Sequence, residues 1–455
     1  MRNIGLIIIF VLAIIAIIFF ISFPALTGNI TMKIPEKGYN VILITIDTLR
    51  PDHLGCYGYS RETSPNIDRL AEDSFLFENA YSAASWTRSA LASLLTSKLP
   101  TEHGILSESR KQTLSPGFYT IQEYFNDMGY STAAFYTNVH LNLGLVQNFS
   151  YTHYESNEPA ASIYDRVIRW IGSTRNNFFV YIHHNDPHDP YKYHEGFSIY
   201  PKDSQYRRLQ PFFPTRVDGN GVGCEEREGI VKLNETQLSE MEANYDGEIE
   251  YLDYHFGRLL DYLQASRLSE NTIVIVSADH GEEFLDHGGY WHGCTLYDEL
   301  IKVPLIFHIP GQTGSRIGQR VSTMDIFPTL VEMVEGNSTE YGFSGSSLVP
   351  IIHGIPEGEG PLYSATAFRG PKKYSIIIGD YKLITQANGK AIGMYNLKDD
   401  PEETKDLQGL MPVLLSKVNE TLFKEISSHS GKIREDAPEI DQETLEQLKA
   451  LGYMT

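Results

Sequence analysis

Three residues of this chain have the types and spacing of metal ligands. Asp47 directly follows the apolar run VILITI (41–46), and Asp279 and His280 directly follow the run TIVIVSA (272–278). A divalent cation prefers carboxylate and imidazole donors on rigid elements, and the end of a strand provides that rigidity. A single Asp after a strand is usually a turn residue or a helix N-cap. The adjacent pair of Asp and His, followed by a glycine, is more typical of two ligands on one ion.

A hydroxyl group that could act on an anion lies in the segment SWTRSALASLLT (85–96). Small residues followed by a leucine-rich run predict a helix that begins near Thr87. A hydroxyl at that point lies in positive potential, beside N–H groups that can bind an anion. A coordinated cation would lower its pKa and make it a nucleophile. The alternative is a Ser or Thr that only caps the helix, and these residues alone leave it open.

Four apolar runs, each followed by polar side chains, must position these groups. Besides the two above, STAAFYT (131–137) leads to Asn138 and His140, and FFVYI (178–182) leads to the polar cluster HHNDPH (183–188). Helical patterns lie between the runs, at 64–74, 119–129 and 238–265. Strands that alternate with helices predict an α/β fold with a mostly parallel sheet covered on both faces. Ligands bind beyond the carboxyl ends of such strands, so the runs predict a metal and anion site at one edge.

Changes in composition predict four parts along the chain. They are a transmembrane anchor, a linker, a catalytic domain and a small C-terminal α+β subdomain, at 1–24, 25–38, 39–350 and 351–455. In the last part, short strands separated by Gly-Asp and Asn-Gly turns over 372–397 predict an antiparallel meander. A helical pattern follows at 412–450.

The anchor is predicted from the uncharged apolar run between Ile4 and Phe23. Roughly 20 such residues match the hydrocarbon thickness of a bilayer, whereas a signal-peptide core has about 7–15. Arg2 precedes the run, so the N-terminus is expected in the cytoplasm and the catalytic domain outside the cell membrane. A cleaved signal peptide is the alternative, although FPAL (23–26) is a poor cleavage site. Sequons that fit an exterior glycoprotein occur at Asn29, Asn148, Asn234, Asn337 and Asn419.

The overall composition limits the partners and the covalent framework. The net charge of -21 argues against nucleic acid, because phosphate backbones are bound by clustered Lys and Arg. The three cysteines, Cys56, Cys224 and Cys294, allow one disulfide at most and do not have the spacing of a zinc ribbon.

Seven sequence blocks together resemble the sulfatase family of the alkaline phosphatase superfamily. In chain order they read VILITIDTLRPDHLGCYGY, SWTRSALASLLTSKLPTEHG, HHNDPHDPY, SADHGEEF, HGCTLYDELIKVPLIF, STMDIFPTLVEM and GMYNLKDDPEETKDL, over about residues 40–407. The resemblance implies a doubly wound α/β domain that binds one or two divalent cations, Ca, Mn or Zn, at the carboxyl edge of its sheet. It implies that Asp47, Asp279 and His280 bind metal.

The same resemblance implies contacts to the transferred group. It makes Asn138, His188 and His292 contacts to that group or to its leaving oxygen, and either histidine could protonate the leaving oxygen. His140 and Asp186 are weaker candidates from the same strand ends.

The chain departs from the family pattern at the nucleophile. Sulfatases have Cys-x-Pro-Ser-Arg followed by Thr-Gly, and the Cys is oxidised to formylglycine. Counting back nine residues from Thr96 gives Thr87 at that position. The family's Pro, Ser, Arg and Gly are replaced by Ser89, Ala90, Leu91 and Ser97, and the second Asp after Asp47 is replaced by Thr48. Thr at the nucleophile position resembles the phosphodiesterase and phosphotransferase branches, so Thr87 is expected to be both nucleophile and metal contact.

These features predict a membrane-anchored, metal-dependent hydrolase that cleaves sulfate or phosphate esters through a covalent Thr intermediate. The expected substrates are sulfated or phosphorylated glycans, lipids or small-molecule esters. With an acceptor alcohol in place of water, the same site would be a transferase acting on an envelope lipid or glycan. An inactive glycan-binding protein is a third hypothesis, which the intact metal ligands oppose and the missing Arg and second Asp favour. The side chain of Arg88 either replaces part of the lost charge or points to solvent.

Overall fold

The structure is a computed structural model that describes residues 38–107, 112–156, 158–198, 233–355, 357–368 and 370–429. Its main element is an eight-stranded sheet. The strands are β1 Asn40–Ile46, β2 Phe75–Tyr81, β3 Ser131–Tyr136, β4 Tyr151–Tyr154, β5 Phe178–His184, β6 Thr272–Ala278, β9 Lys302–His308 and β10 Arg316–Ser322. A separate ribbon consists of β7 Glu283–Phe284 and β8 Tyr290–Trp291. The order across the large sheet is β10-β2-β9-β6-β1-β5-β3-β4.

The large sheet is mostly parallel, as the alternation of strands and helices predicts. In the described sheet only β9 is reversed, since it pairs antiparallel with both of its neighbours, β2 and β6. The connection from β6 to β9 contains the β7–β8 ribbon and one short helix, Asp298–Ile301, instead of a long crossover helix. A parallel partner would require such a crossover, so the strand returns antiparallel.

The burial of the central strands explains why their sequences are long apolar runs. Every residue of β1, β5 and β6 is buried. Successive side chains of a strand point to opposite faces, so complete burial means that both faces of the sheet are covered. The fold class predicted from the sequence is therefore confirmed for the α/β domain.

Helices connect these strands. In the described ranges they are Pro65–Glu72, Thr87–Thr96, Pro100–His103, Ile121–Asp127, Ala160–Ser173, Glu235–Ala265, Asp298–Ile301, Ile326–Glu335, Val349–Ile352 and Pro412–His429. The three helical patterns predicted between the apolar runs are all helices. The longest begins after Asn234, whose side chain accepts a hydrogen bond from the Gln237 N–H, while the Gln237 side chain accepts one from the Asn234 N–H. This reciprocal capping fixes its first turn.

A second, four-stranded antiparallel sheet follows the large one. Its strands are β11 Leu362–Thr366, β12 Lys373–Ile378, β13 Tyr381–Gln386 and β14 Ala391–Asn396, in that order across the sheet. The last three confirm the predicted meander, whereas β11 lies before the segment that the turns mark. The helix Pro412–His429 packs on this sheet through Val418 and Leu422. The part of the predicted C-terminal helical pattern beyond residue 429 lies outside the described residues.

A buried ion pair joins the second sheet to the connection that leads into β9. Lys382 on β13 is fully buried, and its Nζ is 2.7 Å from Asp298 Oδ1 and 2.9 Å from Glu403 Oε1. Burial lowers the pKa of Lys382, but the two carboxylates outweigh it, so the net shift is upward and the ammonium stays charged. Burial and the neighbouring Asp298 raise the pKa of Glu403 to about 7, although Lys382 opposes that shift.

The described residues do not reach the predicted anchor. Residues 1–24 and all but the last residue of the linker lie outside them. Among the residues that are described, no helix is long and apolar enough to cross a bilayer. Cys294 is disulfide-bonded and Cys56 is a free thiol.

Candidate metal and active site

The topology of the large sheet brings the predicted site residues together. β6, β1, β5 and β3 are consecutive neighbours in the sheet. Ile46 at the end of β1 is aligned with Ala278 on one side and His184 on the other. The residues after these strands therefore reach the same edge. This is why Asp47, Asp279 and Asn138 converge although they are far apart in the sequence.

Three ligand-type side chains meet at this edge. Atoms of Asp47, Asp279 and His280 all lie within 4.8 Å of one another, and the three residues are buried. His280 Nε2 is 3.4 Å from Asp47 Oδ1 and 3.5 Å from Asp279 Oδ2. Both of these carboxylate oxygens are buried without a hydrogen-bond partner. Buried carboxylate oxygens are costly unless they bind a donor or a cation, so this donor set fits a divalent metal ion.

The orientation of His280 also suits a metal ligand. Its Nδ1 is 2.9 Å from the carbonyl oxygen of Gly281, so Nδ1–H donates to that oxygen. The lone pair is then on Nε2, which faces the two carboxylates. A backbone carbonyl commonly fixes the tautomer of a metal-binding histidine in this way. Burial lowers the pKa of His280, which favours the neutral, ligating form.

The two carboxyl groups have opposite pKa shifts. Burial raises the pKa of Asp279 well above its usual value, and the charge of Asp47 raises it further. Burial also raises the pKa of Asp47, but the histidines around it (His188, His183 and His280) outweigh burial and hold its pKa below the usual range. Without a cation the proton therefore lies on Asp279 while Asp47 is ionised, and a cation would let both carboxyl groups ionise.

Thr87 lies beside this cluster. It is the first residue of the helix Thr87–Thr96, is 3% exposed, and its Oγ1 is 3.3 Å from His280 Nε2. Since His280 carries its proton on Nδ1, the Thr87 hydroxyl is the donor in this contact. The N-cap residue is Trp86, with no capping bond from a side chain. The alternative that Thr87 only caps the helix is therefore wrong.

Asn138 forms a hydrogen bond with Asp47 Oδ2, the carboxylate oxygen other than the one that faces His280. Its Nδ2 donates to Asp47 Oδ2 at 2.8 Å and to Asn185 Oδ1 at 3.0 Å, while its Oδ1 accepts from the His140 N–H. These three bonds fix the orientation of the amide. The predicted contact of Asn138 with a transferred group stays a prediction.

Two further histidines lie over the cluster. The ring of His292 is 4.4 Å from that of His280 and 4.9 Å from that of His188, measured between centroids. His292 Nδ1 is 2.9 Å from Glu282 Oε1, and His188 Nδ1 is 2.5 Å from the carbonyl oxygen of Asp189. Both Nδ1 atoms therefore carry protons as donors, which makes Nε2 the acid–base nitrogen of each ring. Neither Glu282 nor its bond to His292 is signalled by the sequence.

His140 and Asp186, the weaker candidates, are not among the three ligand-type residues of the cluster. His140 is buried edge-to-face against Trp86, and burial together with Arg88 lowers its pKa well below the usual value. Asp186 belongs to a second group of ligand-type residues with His194 and Glu248. This second group already has a cation, because Lys192 Nζ is 3.0 Å from Asp186 Oδ1.

Arg88 and His183 complete the surroundings. Arg88 is 1% exposed and its guanidinium lies 5.1 Å from the ring centre of Trp86, so the expectation that it could point to solvent is wrong. His183 is fully buried with Nε2 3.6 Å from Asp47 Oδ2. The sequence places His183 in a run of polar residues but does not indicate which of them face the site.

Comparisons with known proteins agree with this architecture. A family model described as "Sulfatase" matches residues 39–336, and one described as "N-sulphoglucosamine sulphohydrolase, C-terminal" matches residues 286–430. Iduronate 2-sulfatase of Mus musculus is 26% identical over 74% of this chain and 73% of its own length. The crystal structure of a phosphonate monoester hydrolase of Agrobacterium radiobacter superposes with a TM-score of 0.70, at 20% identity over 86% of this chain and 96% of the other. A protein solved in complex with its substrate D-glucosamine-2-N,6-O-disulfate has a TM-score of 0.71, at 19% identity over 88% and 100% of the two chains. The predicted enzyme class, a hydrolase of sulfate or phosphate esters, is confirmed by these relatives.

Proposed function

Because this chain belongs to the sulfatase family, we propose that it is a membrane-anchored, metal-dependent hydrolase of phosphate or sulfate esters in which Thr87 is the nucleophile. The observation that carries the proposal is the position of the Thr87 hydroxyl. It is buried at the start of a helix and lies 3.3 Å from His280 Nε2, beside two carboxylate oxygens without partners.

The metal would be held by Asp47, Asp279 and His280, with Thr87 as a further contact. When bound, a divalent cation supplies positive charge that favours the ionised form of a hydroxyl and stabilises negative charge on an ester group. The start of the helix Thr87–Thr96 adds N–H groups and positive potential on the same side. Both contributions act on an anionic ester, which fits the substrate class of the family.

The residues of the chain suffice for the group transfer. Thr87 Oγ1 attacks phosphorus or sulfur, a bond from Oγ1 forms, and the bond to the leaving oxygen breaks. His188 or His292, protonated on both ring nitrogens, gives its Nε2 proton to that oxygen. Water accepts the proton that Thr87 loses, so the two proton transfers balance. Water then hydrolyses the Thr ester and returns the hydroxyl. Asn138 and Glu282 keep Asp47 and His292 in place during both steps.

The substrates proposed are sulfated or phosphorylated glycans, lipids or small-molecule esters. A structural neighbour that binds a sulfated glucosamine supports the glycan class. Thr in place of a formylglycine-forming Cys supports phosphate esters over sulfate. A Thr ester has no geminal hydroxyl, so it cannot expel sulfate by elimination and must be hydrolysed in line, as in phosphoryl transfer.

A panel of esters tests this function. The detergent-solubilised full chain is loaded with Ca, Mn or Zn and assayed on a phosphodiester, a phosphate monoester and an aryl sulfate. We expect turnover of a phosphate ester to exceed that of the aryl sulfate, and EDTA to abolish it. Turnover of aryl sulfate alone would contradict the preference for phosphate. Product that forms only when an acceptor alcohol is supplied would identify a transferase instead.

The membrane anchor and the exterior location are part of the proposal. They rest on the uncharged run from Ile4 to Phe23, and the disulfide at Cys294 supports them because disulfides persist outside the reducing cytoplasm. A protease added to intact cells should digest the catalytic domain, while the undigested chain fractionates with membranes. Recovery of a soluble protein that begins near Leu26 or Thr27 would show that the run is a cleaved signal peptide.

A further inference from the structure

Three fully buried polar side chains lie directly behind Asp47. Tyr181 and His183 are two residues apart on β5, and Thr45 is two residues before Asp47, so each pair points to one face of the sheet. The Tyr181 hydroxyl is 2.9 Å from Thr45 Oγ1, and Thr45 Oγ1 is 2.8 Å from His183 Nδ1. His183 Nε2 is 3.6 Å from Asp47 Oδ2. These side chains form a relay that ends at a predicted metal ligand.

The hydrogen bonds of this relay indicate where its protons lie. Burial raises the pKa of Tyr181, so its phenol keeps its proton, and the hydrogen-bond partner of that hydroxyl is Thr45. Tyr181 therefore donates to Thr45 Oγ1. A hydroxyl has one proton to donate, and that of Thr45 is left for His183 Nδ1. His183 then carries its own proton on Nε2, the nitrogen that faces Asp47.

The donors around Asp47 are gathered on one of its oxygens. Oδ2 accepts the hydrogen bond of Asn138 at 2.8 Å and faces His183 Nε2–H. The distance of 3.6 Å between His183 Nε2 and Asp47 Oδ2 is longer than that of a hydrogen bond. The dipole of the Nε2–H group therefore stabilises the negative charge on Oδ2 electrostatically. Oδ1 has no hydrogen-bond partner and lies 3.4 Å from His280 Nε2. The arrangement turns Oδ1 toward the ligand cluster.

We propose that His183 is a positioning residue for the metal site, held by Tyr181 and Thr45 in the tautomer that presents Nε2–H to Asp47. The relay orients Asp47 so that Oδ1 is the oxygen offered to the cation. A protonated Nε2 also prevents His183 from becoming a ligand, which keeps the donor set to Asp47, Asp279 and His280. The inference rests on the metal dependence of the proposed function.

Binding of Mn(II) alone to the purified full chain tests the inference by titration calorimetry. Loss of a side chain that supports a metal ligand typically lowers metal affinity about 10–100-fold, and we expect His183→Leu to fall in that range. His183→Gln keeps an N–H donor near Asp47 and should recover most of the affinity. The matched control is His184→Leu, because His184 is equally buried and its ring nitrogens have no hydrogen-bond partner in the described structure. It should bind Mn(II) as the parent protein does.

A second pair of variants covers the case in which His183→Leu does not fold, as judged by thermal unfolding in EDTA. Thr45→Val removes the hydroxyl that fixes the tautomer and should lower Mn(II) affinity, whereas Thr45→Ser keeps it and should not. Parent-like affinity in a folded His183→Leu would overturn the inference while leaving the proposed function intact, and where that variant does not fold, parent-like affinity in Thr45→Val would do the same. A parent protein that binds no divalent cation would instead refute the metal dependence itself.

Discussion

Thr87→Ala is expected to lower turnover of the best ester substrate by about 10³-fold or more, because it removes the atom that forms the covalent intermediate. Thr87→Ser keeps a hydroxyl in a comparable position and should retain part of the activity. Acid quenching of the parent enzyme during turnover should leave the transferred group on the peptide that contains Thr87, which mass spectrometry can detect. These outcomes follow from the buried position of Thr87 beside His280.

Ser85 provides a matched control for this prediction. Its hydroxyl is also fully buried, lacks a hydrogen-bond partner, and lies two residues before Thr87. Ser85→Ala should keep most of the activity. If Thr87→Ala turns over at a near-normal rate and Ser85→Ala does not, the nucleophile is Ser85 and the register of the motif is wrong.

Asp279→Asn is expected to abolish both metal binding and turnover while the fold survives. The amide has the shape of the carboxyl group but neither its charge nor its affinity for a hard cation. Without metal Asp279 is protonated, so the variant replaces one neutral buried group with another, and unfolding in EDTA should occur at a similar temperature. In the parent protein, metal at 100 times its dissociation constant should add about 2.7 kcal/mol of stability, and this gain should disappear in the variant.

Asp186→Asn distinguishes the two groups of ligand-type residues. Asp186 is also a buried carboxylate that follows a strand of the same sheet, but it is paired with Lys192. The variant should keep its metal and its metal-dependent stability. Loss of metal from Asp186→Asn, with normal occupancy in Asp279→Asn, would place the cation in the second group and contradict the assignment.

The strand ends of the site could be predicted because they have strong local signals. The runs before Asp47 and Asp279 are continuous and β-branched, which is typical of central strands buried on both faces. Convergence of their ends then follows from the geometry of a parallel sheet. The reversed strand β9 has no comparable signal, since Pro304 interrupts its pattern and its direction depends on the connection before it.

The residues that support the site could not be predicted for a different reason. His183 and His184 are adjacent histidines, and only their position in β5 decides that one faces Asp47. The bond between Glu282 and His292 depends on the path of the β7–β8 ribbon. The hydroxyl of Thr87 fits a helix cap equally well until the neighbouring strand delivers His280. Such contacts arise from tertiary structure, so one-dimensional patterns do not contain them.

The buried Lys382 has a consequence for exchanging parts between members of this family. Lys382 forms ion pairs with residues on both sides of the predicted boundary at 350, because Asp298 precedes β9 while Glu403 follows β14. Removal of one partner from a buried ion pair costs about 3–5 kcal/mol, a large part of the roughly 5–15 kcal/mol that stabilises a folded domain. A chimera joined at that boundary would take Asp298 from one parent. The other parent would then have to supply a buried lysine at the position of Lys382 to pair with it. The recombinable unit is therefore the pair of sheets together, and the sequence boundary between them is not a point at which the protein can be divided.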